Sequence, residues 1–133
     1  LDTIAFNEKH QSIKSLDMSS NGYLNNYNTL KYLTNLEYLN ISSTRFSSLS
    51  QLSCSGSLKE LNISNCRLSS LKELASFKKL ETLTITGLNE TDIEYLKKLS
   101  SLKTLTIYAS AGLTKELKEK LKKQLPNTKI ELL

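Results

Sequence analysis

One pattern constrains what this chain can fold into more than any other: L-x-x-L-x-[LIM] recurs along it at nearly fixed register. IKSLDMSSN begins at Ile13, LEYLNISST at Leu36, LKELNISNC at Leu58, LETLTITGL at Leu80 and LKTLTIYAS at Leu102, so successive copies start 23, 22, 22 and 22 residues apart. A period of this length marks a stack of repeated units. Within one unit the spacing changes. Leu61 and Ile63 alternate across one polar residue, as on one face of a short strand. Leu68, Leu71 and Leu74 then recur at threes, the rhythm of a 3₁₀ or tight α turn. Each coil therefore needs period two on one wall and about three on the other. A single coil cannot hold itself. About six buried side chains contribute roughly 1.5–3 kcal/mol each, whereas ordering 22 residues costs roughly 1–2 kcal/mol apiece. Stacking buries both sides of each coil and changes that balance.

The five copies resemble the leucine-rich repeat family, over nearly the whole chain, and the 22-residue unit is most similar to the short internalin-type repeat of bacterial surface proteins. Similar short units occur in intracellular adaptors. The resemblance implies an α/β solenoid with a curved parallel sheet of about six strands on the concave side and 3₁₀ or helical turns on the convex side. Family repeats often carry Asn at the ninth position. Here that column reads Asn21, Thr44, Cys66, Leu88 and Ser110, which makes Cys66 an inward-facing ladder residue rather than a nucleophile or ligand. The fourth repeat puts Glu90 where an apolar residue is expected, so the turn GLNET is locally reshaped.

The chain reads as one domain, 1–133, with five repeats over 13–112. Solenoid ends must be capped. After Ile107 the pattern changes to GLTKELKEKLKKQLPN, with Thr114 as N-cap, Leu113, Leu117, Leu121 and Leu125 on one helical face, and Pro126 as terminator. TKIELL supplies a last strand with Ile130 and Leu132 inward, so 113–133 is a C-terminal cap. LDTIAFN makes 1–12 an N-terminal cap or a short first coil. The chain opens Leu1-Asp2 and not on Met, which reads as a trimmed or processed fragment.

The polar strand positions line the concave wall. The second-position column, Lys14, Glu37, Lys59, Glu81 and Lys103, alternates in sign. It is either a charged recognition strip or a self-neutralising ladder, and the strict alternation favours the ladder. The next columns are mild: Ser15, Tyr38, Glu60, Thr82, Thr104; then Asp17, Asn40, Asn62, Thr84, Thr106; then Ser19, Ser42, Ser64, Thr86, Tyr108. Hot spots of protein interfaces are rich in Tyr and Arg. Tyr38 and Tyr108, with Arg45 and Arg67 one coil apart at the edge, are therefore the candidate partner contacts, together with Asn40, Asn62 and Thr84. The alternative is that they are ordinary surface residues of a spacer array. Asn40 and Asn62 also begin glycosylation sequons in mid-sheet, and Asn89 begins a third. A glycan in mid-sheet would block the wall, which suits a secreted or surface protein of a bacterium, or a cytosolic adaptor.

The formal charge of +5 has a local source. Residues 115–123, KELKEKLKK, hold five Lys and two Glu. Lys115, Lys118, Lys120, Lys122 and Lys123 form a solvated helix face, or else a patch for an anionic ligand; no aromatic platform or nucleic-acid motif accompanies them. No nucleic acid is expected. No run of 18 apolar residues exists, so no membrane insertion is expected. His10 has no acidic or cysteine partner in a recognisable spacing, and SLSQLSCSGS (48–57) does not match G-x-S-x-G. No catalytic residue, metal or cofactor is expected. The function the resemblance implies is protein binding by a monomer through the concave wall. A spacer without a concave ligand and an electrostatic binder through the lysines are the alternatives.

Overall fold

The computed structural model describes residues 11–108 and 113–133. Six strands, β1 (Ser15–Asp17), β2 (Tyr38–Asn40), β3 (Glu60–Asn62), β4 (Thr82–Thr86), β5 (Thr104–Tyr108) and β6 (Lys129–Leu132), form one parallel sheet in sequence order. The return wall is built from 3₁₀ segments at Asn28–Tyr32, Leu49–Gln51 and Lys72–Ser76 and from two helices, α1 (Glu90–Leu96) and α2 (Lys115–Gln124). This is the α/β solenoid that the leucine-rich repeat resemblance implies. Its parallel pairs need long crossovers, which each return wall supplies.

The register follows the repeat. Leu39, Leu61, Leu83 and Leu105 align across β2 to β5, as do Asn40, Asn62, Thr84 and Thr106. The inward residues of these strands, with Ile41, Ile63, Ile85 and Ile107, are all buried. One backbone contact repeats at the start of each coil. The Lys14 carbonyl accepts the N–H groups of Glu37 and Tyr38 at 2.7 and 3.0 Å. Glu37, Lys59 and Glu81 carbonyls each take the corresponding pair one coil on.

Two features answer to local backbone chemistry and not to the leucine spacing. Every described coil leaves its strand through a left-handed residue at the eighth position: Ser20, Ser43, Asn65 and Gly87, at φ of 60, 54, 53 and 70°. Glycine adopts this region freely, whereas serine has no such preference. Strand length also varies. Asp17, Asn40 and Asn62 each bend the chain, because a side-chain oxygen captures the amide two residues on, at 2.9, 3.1 and 3.0 Å. Thr84 and Thr106 stand in the same column, and there pairing continues through Ile85 with Ile107 and Thr86 with Tyr108.

The fourth coil is reshaped as expected, and by a helix. The Asn89 side chain accepts from the Asp92 amide at 2.9 Å while the Asp92 carboxylate accepts from the Asn89 amide at 3.0 Å, a reciprocal cap for α1. Glu90 is thus an exposed first-turn residue of a helix, favoured beside its positive end. In α2, Thr114 Oγ1 accepts from the Leu117 amide at 3.2 Å, Leu121 and Leu125 are buried, and Leu113 and Leu117 pack partly. The LDTIAFN segment, His10 and Ser110 lie outside the described residues.

Candidate functional site

The side chains between the inward leucines form a regular array on the polar face of the sheet. Tyr38, Asn40, Asn62, Thr82, Thr84, Thr104 and Thr106 are half-buried, and Tyr108 is 44% exposed. The array has two characters. On β2 and β3 the amides are committed: Asn40 Oδ1 accepts from Ser42 N and Oγ at 3.1 and 2.7 Å, and Asn62 Oδ1 accepts from Ser64 N and Oγ at 3.0 and 2.7 Å. On β4 and β5 the same columns are threonines, which offer a methyl and a hydroxyl. Tyr38 and Tyr108 stand at diagonal corners, at the start of β2 and at the end of β5.

Arg45 and Arg67 are exposed and lie outside the strands, two residues beyond the left-handed turn of their coils. Their backbones are held firmly. The Arg45 amide donates to the Tyr27 hydroxyl at 3.0 Å and the Arg67 amide to the Phe46 carbonyl at 3.0 Å. They flank the array and are not part of it.

The alternating charges form a partial ladder. Lys59 meets Glu37 at 3.2 Å and Lys103 meets Glu81 at 2.7 Å. A hydrogen bond from Lys103 and its charge hold the Glu81 carboxyl below its ordinary range. Solvent screens exposed pairs of this kind, so each contributes little to stability. At the far end Lys129 meets Glu131 at 2.8 Å, and Thr106 Oγ1 donates to Glu131 at 3.3 Å.

Asp17 is the one carboxylate in the turn-forming column. Hydrogen bonds from the Ser19 side chain and amide lower its pKa, with Asn40 Nδ2 donating at 3.3 Å. A folded pKa below the unfolded value gives stability that is present above the ordinary carboxylate range. That stability is lost as pH falls through the depressed value. Asp17→Asn, which keeps the acceptor for the Ser19 amide but loses the charge and the oxygen that accepts from Asn40, is expected to lower the melting temperature at pH 7 slightly. It should make the acid limb of the melting curve below about pH 4 shallower. Thermal unfolding followed against pH checks this, and an unaltered acid limb would sink the assignment.

The two cysteines are structural in chemistry. Cys66 Sγ donates to the Ile41 carbonyl at 3.1 Å and lies 3.8 Å from Thr44 Oγ1, which itself donates to that carbonyl at 2.7 Å. Asn21 Nδ2 donates to the Met18 carbonyl at 2.8 Å in the coil before. Burial pushes the Cys66 thiol up, against the Thr44 hydrogen bond, and pushes Cys54 up to about 11. Neither is a ready nucleophile at neutral pH. Beside Cys66 a cleft of about 350 Å³ opens between the third and fourth coils, floored by Ile63, Leu68, Ile85 and Leu88 and rimmed by Asn89 and Asp92. Among the described residues no cluster of three or more His, Cys, Asp or Glu is placed to hold a metal ion.

The lysine-rich helix is partly spoken for. Lys120 pairs with Glu90 of α1 and holds its carboxyl below the ordinary range, and Lys118 is half-buried. Lys115, Lys122 and Lys123 remain exposed. No described helix is long and apolar enough to cross a membrane.

A family model described as Leucine Rich repeats (2 copies) matches residues 56–98, the third and fourth coils. Comparison with curated proteins yields no match.

Proposed function

We propose that this chain, a leucine-rich repeat protein, is a non-catalytic module that binds a protein partner on its concave, strand-bearing wall. Leucine-rich repeat domains generally mediate protein–protein interaction and are typically not enzymes. The supporting observation is the array between Tyr38 and Tyr108. It combines aligned hydroxyl, amide and methyl groups on four paired strands with an aromatic side chain at each of two corners. Mechanism here means presentation. Side chains fixed by a hydrogen-bonded ladder lose little freedom on binding, so modest contacts yield useful affinity. In this reading Tyr38 and Tyr108 are the anchors, Asn40, Asn62 and Thr84 supply polar contacts, and Arg45 and Arg67 reach a partner from the rim. Such a module suits part of a bacterial surface or effector protein.

A second reading, binding of an anionic ligand through the α2 lysines, has less support, because Lys120 is engaged by Glu90 and Lys118 is half-buried. Photo-crosslinking separates the two walls. A crosslinking residue at Thr84 is expected to capture a protein that one at Glu73, exposed on the return wall, does not. Capture from Glu73 alone would overturn the reading, and capture from neither would favour a spacer.

A further inference from the structure

β6 pairs with β5 along one side, and among the described residues no strand lies on its other side. The amides of Lys129 and Leu133 donate to the Lys103 and Ile107 carbonyls at 2.8 and 3.0 Å. By the alternation of a parallel strand, Ile130 and Leu132 therefore aim their N–H and C=O groups away from β5, toward the open edge. The side chains on that strand are less covered than those before it. The inward residues of β2 to β5 are all buried, whereas Ile130 and Leu132 are only half-buried. An edge with free amides and half-covered apolar side chains is a template for another strand.

The edge is complementary to itself. In an antiparallel pairing about a twofold axis at Ile130, the two Ile130 residues exchange both backbone hydrogen bonds. Lys129 then stands opposite Glu131 of the second copy, and Glu131 opposite Lys129 of the second copy. Both side chains belong to one face of β6, where they pair at 2.8 Å within a single chain. Each Leu132 lies diagonal to Ile130 of the second copy, which covers part of both apolar side chains.

We infer that β6 is a self-association edge, through which two copies join antiparallel so that their six-stranded sheets continue into one another. The β6 edge lies at one end of the strand order, so the array on β2 to β5 stays open in each copy. Four residues of edge make few hydrogen bonds, so the dimer is reversible. The monomer expected from the sequence is then the low-concentration state.

Sedimentation velocity of the 133-residue chain at concentrations up to about 1 mM tests this. Circular dichroism first establishes that each variant is folded. Lys129→Glu and Glu131→Lys each set like charges opposite one another twice per dimer, and each is expected to weaken association about tenfold. An equimolar mixture of the two single variants recovers the dimer, and so does the double swap Lys129→Glu with Glu131→Lys. A wild-type chain that stays monomeric throughout would overturn the inference. So would single variants that associate like the wild type, or a mixture and a double swap that recover nothing.

Discussion

Phe46→Ala is expected to destabilise the fold by about 3–5 kcal/mol and to lower the melting midpoint by roughly 10–20 °C. Phe46 is 0% exposed, and its ring meets Tyr27 edge-on at 5.3 Å between centroids. Tyr27 in turn is the pin between the first and second coils. Its hydroxyl donates to the Leu24 carbonyl at 2.9 Å and accepts the Arg45 amide at 3.0 Å. Truncating Phe46 therefore opens a cavity and removes the edge contact that orients that pin. In a stack where each coil leans only on its neighbours, a loosened second coil also uncovers its neighbours. Ser47→Ala, an exposed change next door, is the control and should move stability by less than about 0.5 kcal/mol. Thermal unfolding by circular dichroism measures both. A loss under about 1 kcal/mol for Phe46→Ala would mean that the ring is not the packing element described.

The strand positions were legible because they answer to the strongest term in folding. Each inward leucine is forced by burial, and the change from period two to three marks the two walls. Cys66 was readable as a ladder residue for the same reason, since an inward thiol beside a carbonyl needs only a hydrogen bond. Other features answer to local backbone chemistry that the repeat conceals. Ser20 and Ser43 carry positive φ with no residue-type signal, although Asn65 and Gly87 in the same column hinted at it. Glu90 looked like a break in the pattern, while the Asn89 and Asp92 spacing that caps α1 was present in the sequence and unread. The longer β4 and β5 follow from threonine where other coils carry a turn-forming Asn or Asp.

The polar array was legible as columns, and its chemistry was not. Columns give neighbours, but not that Asn40 and Asn62 spend their oxygens on their own turns. The engaged state of Lys120 depends on α1, an element the repeat pattern did not contain.

The largest functional effect is expected from the wall itself. Tyr38 and Tyr108 are amphipathic aromatic side chains at two corners of a fixed array, the residue type that dominates interface energetics, and truncating such anchors typically costs 2 kcal/mol or more. Asn62→Arg and Thr84→Arg would add two long cations at the centre of the same array, where the native side chains are small and half-buried. These four changes leave the inward leucines and isoleucines alone, but Asn62→Arg also removes the acceptor of the Ser64 amide and hydroxyl, so circular dichroism must first establish that the variant keeps the stack. The decisive measurement is a calorimetric titration of the crosslinked partner, once purified, against three chains. They are the wild type, the variant Tyr38→Ala, Asn62→Arg, Thr84→Arg, Tyr108→Ala, and a variant with Lys118, Lys120, Lys122 and Lys123 changed to Gln. Binding weakened at least about a hundredfold by the wall variant and little by the lysine variant is the predicted result. Equal affinity for the wild type and the wall variant would contradict it.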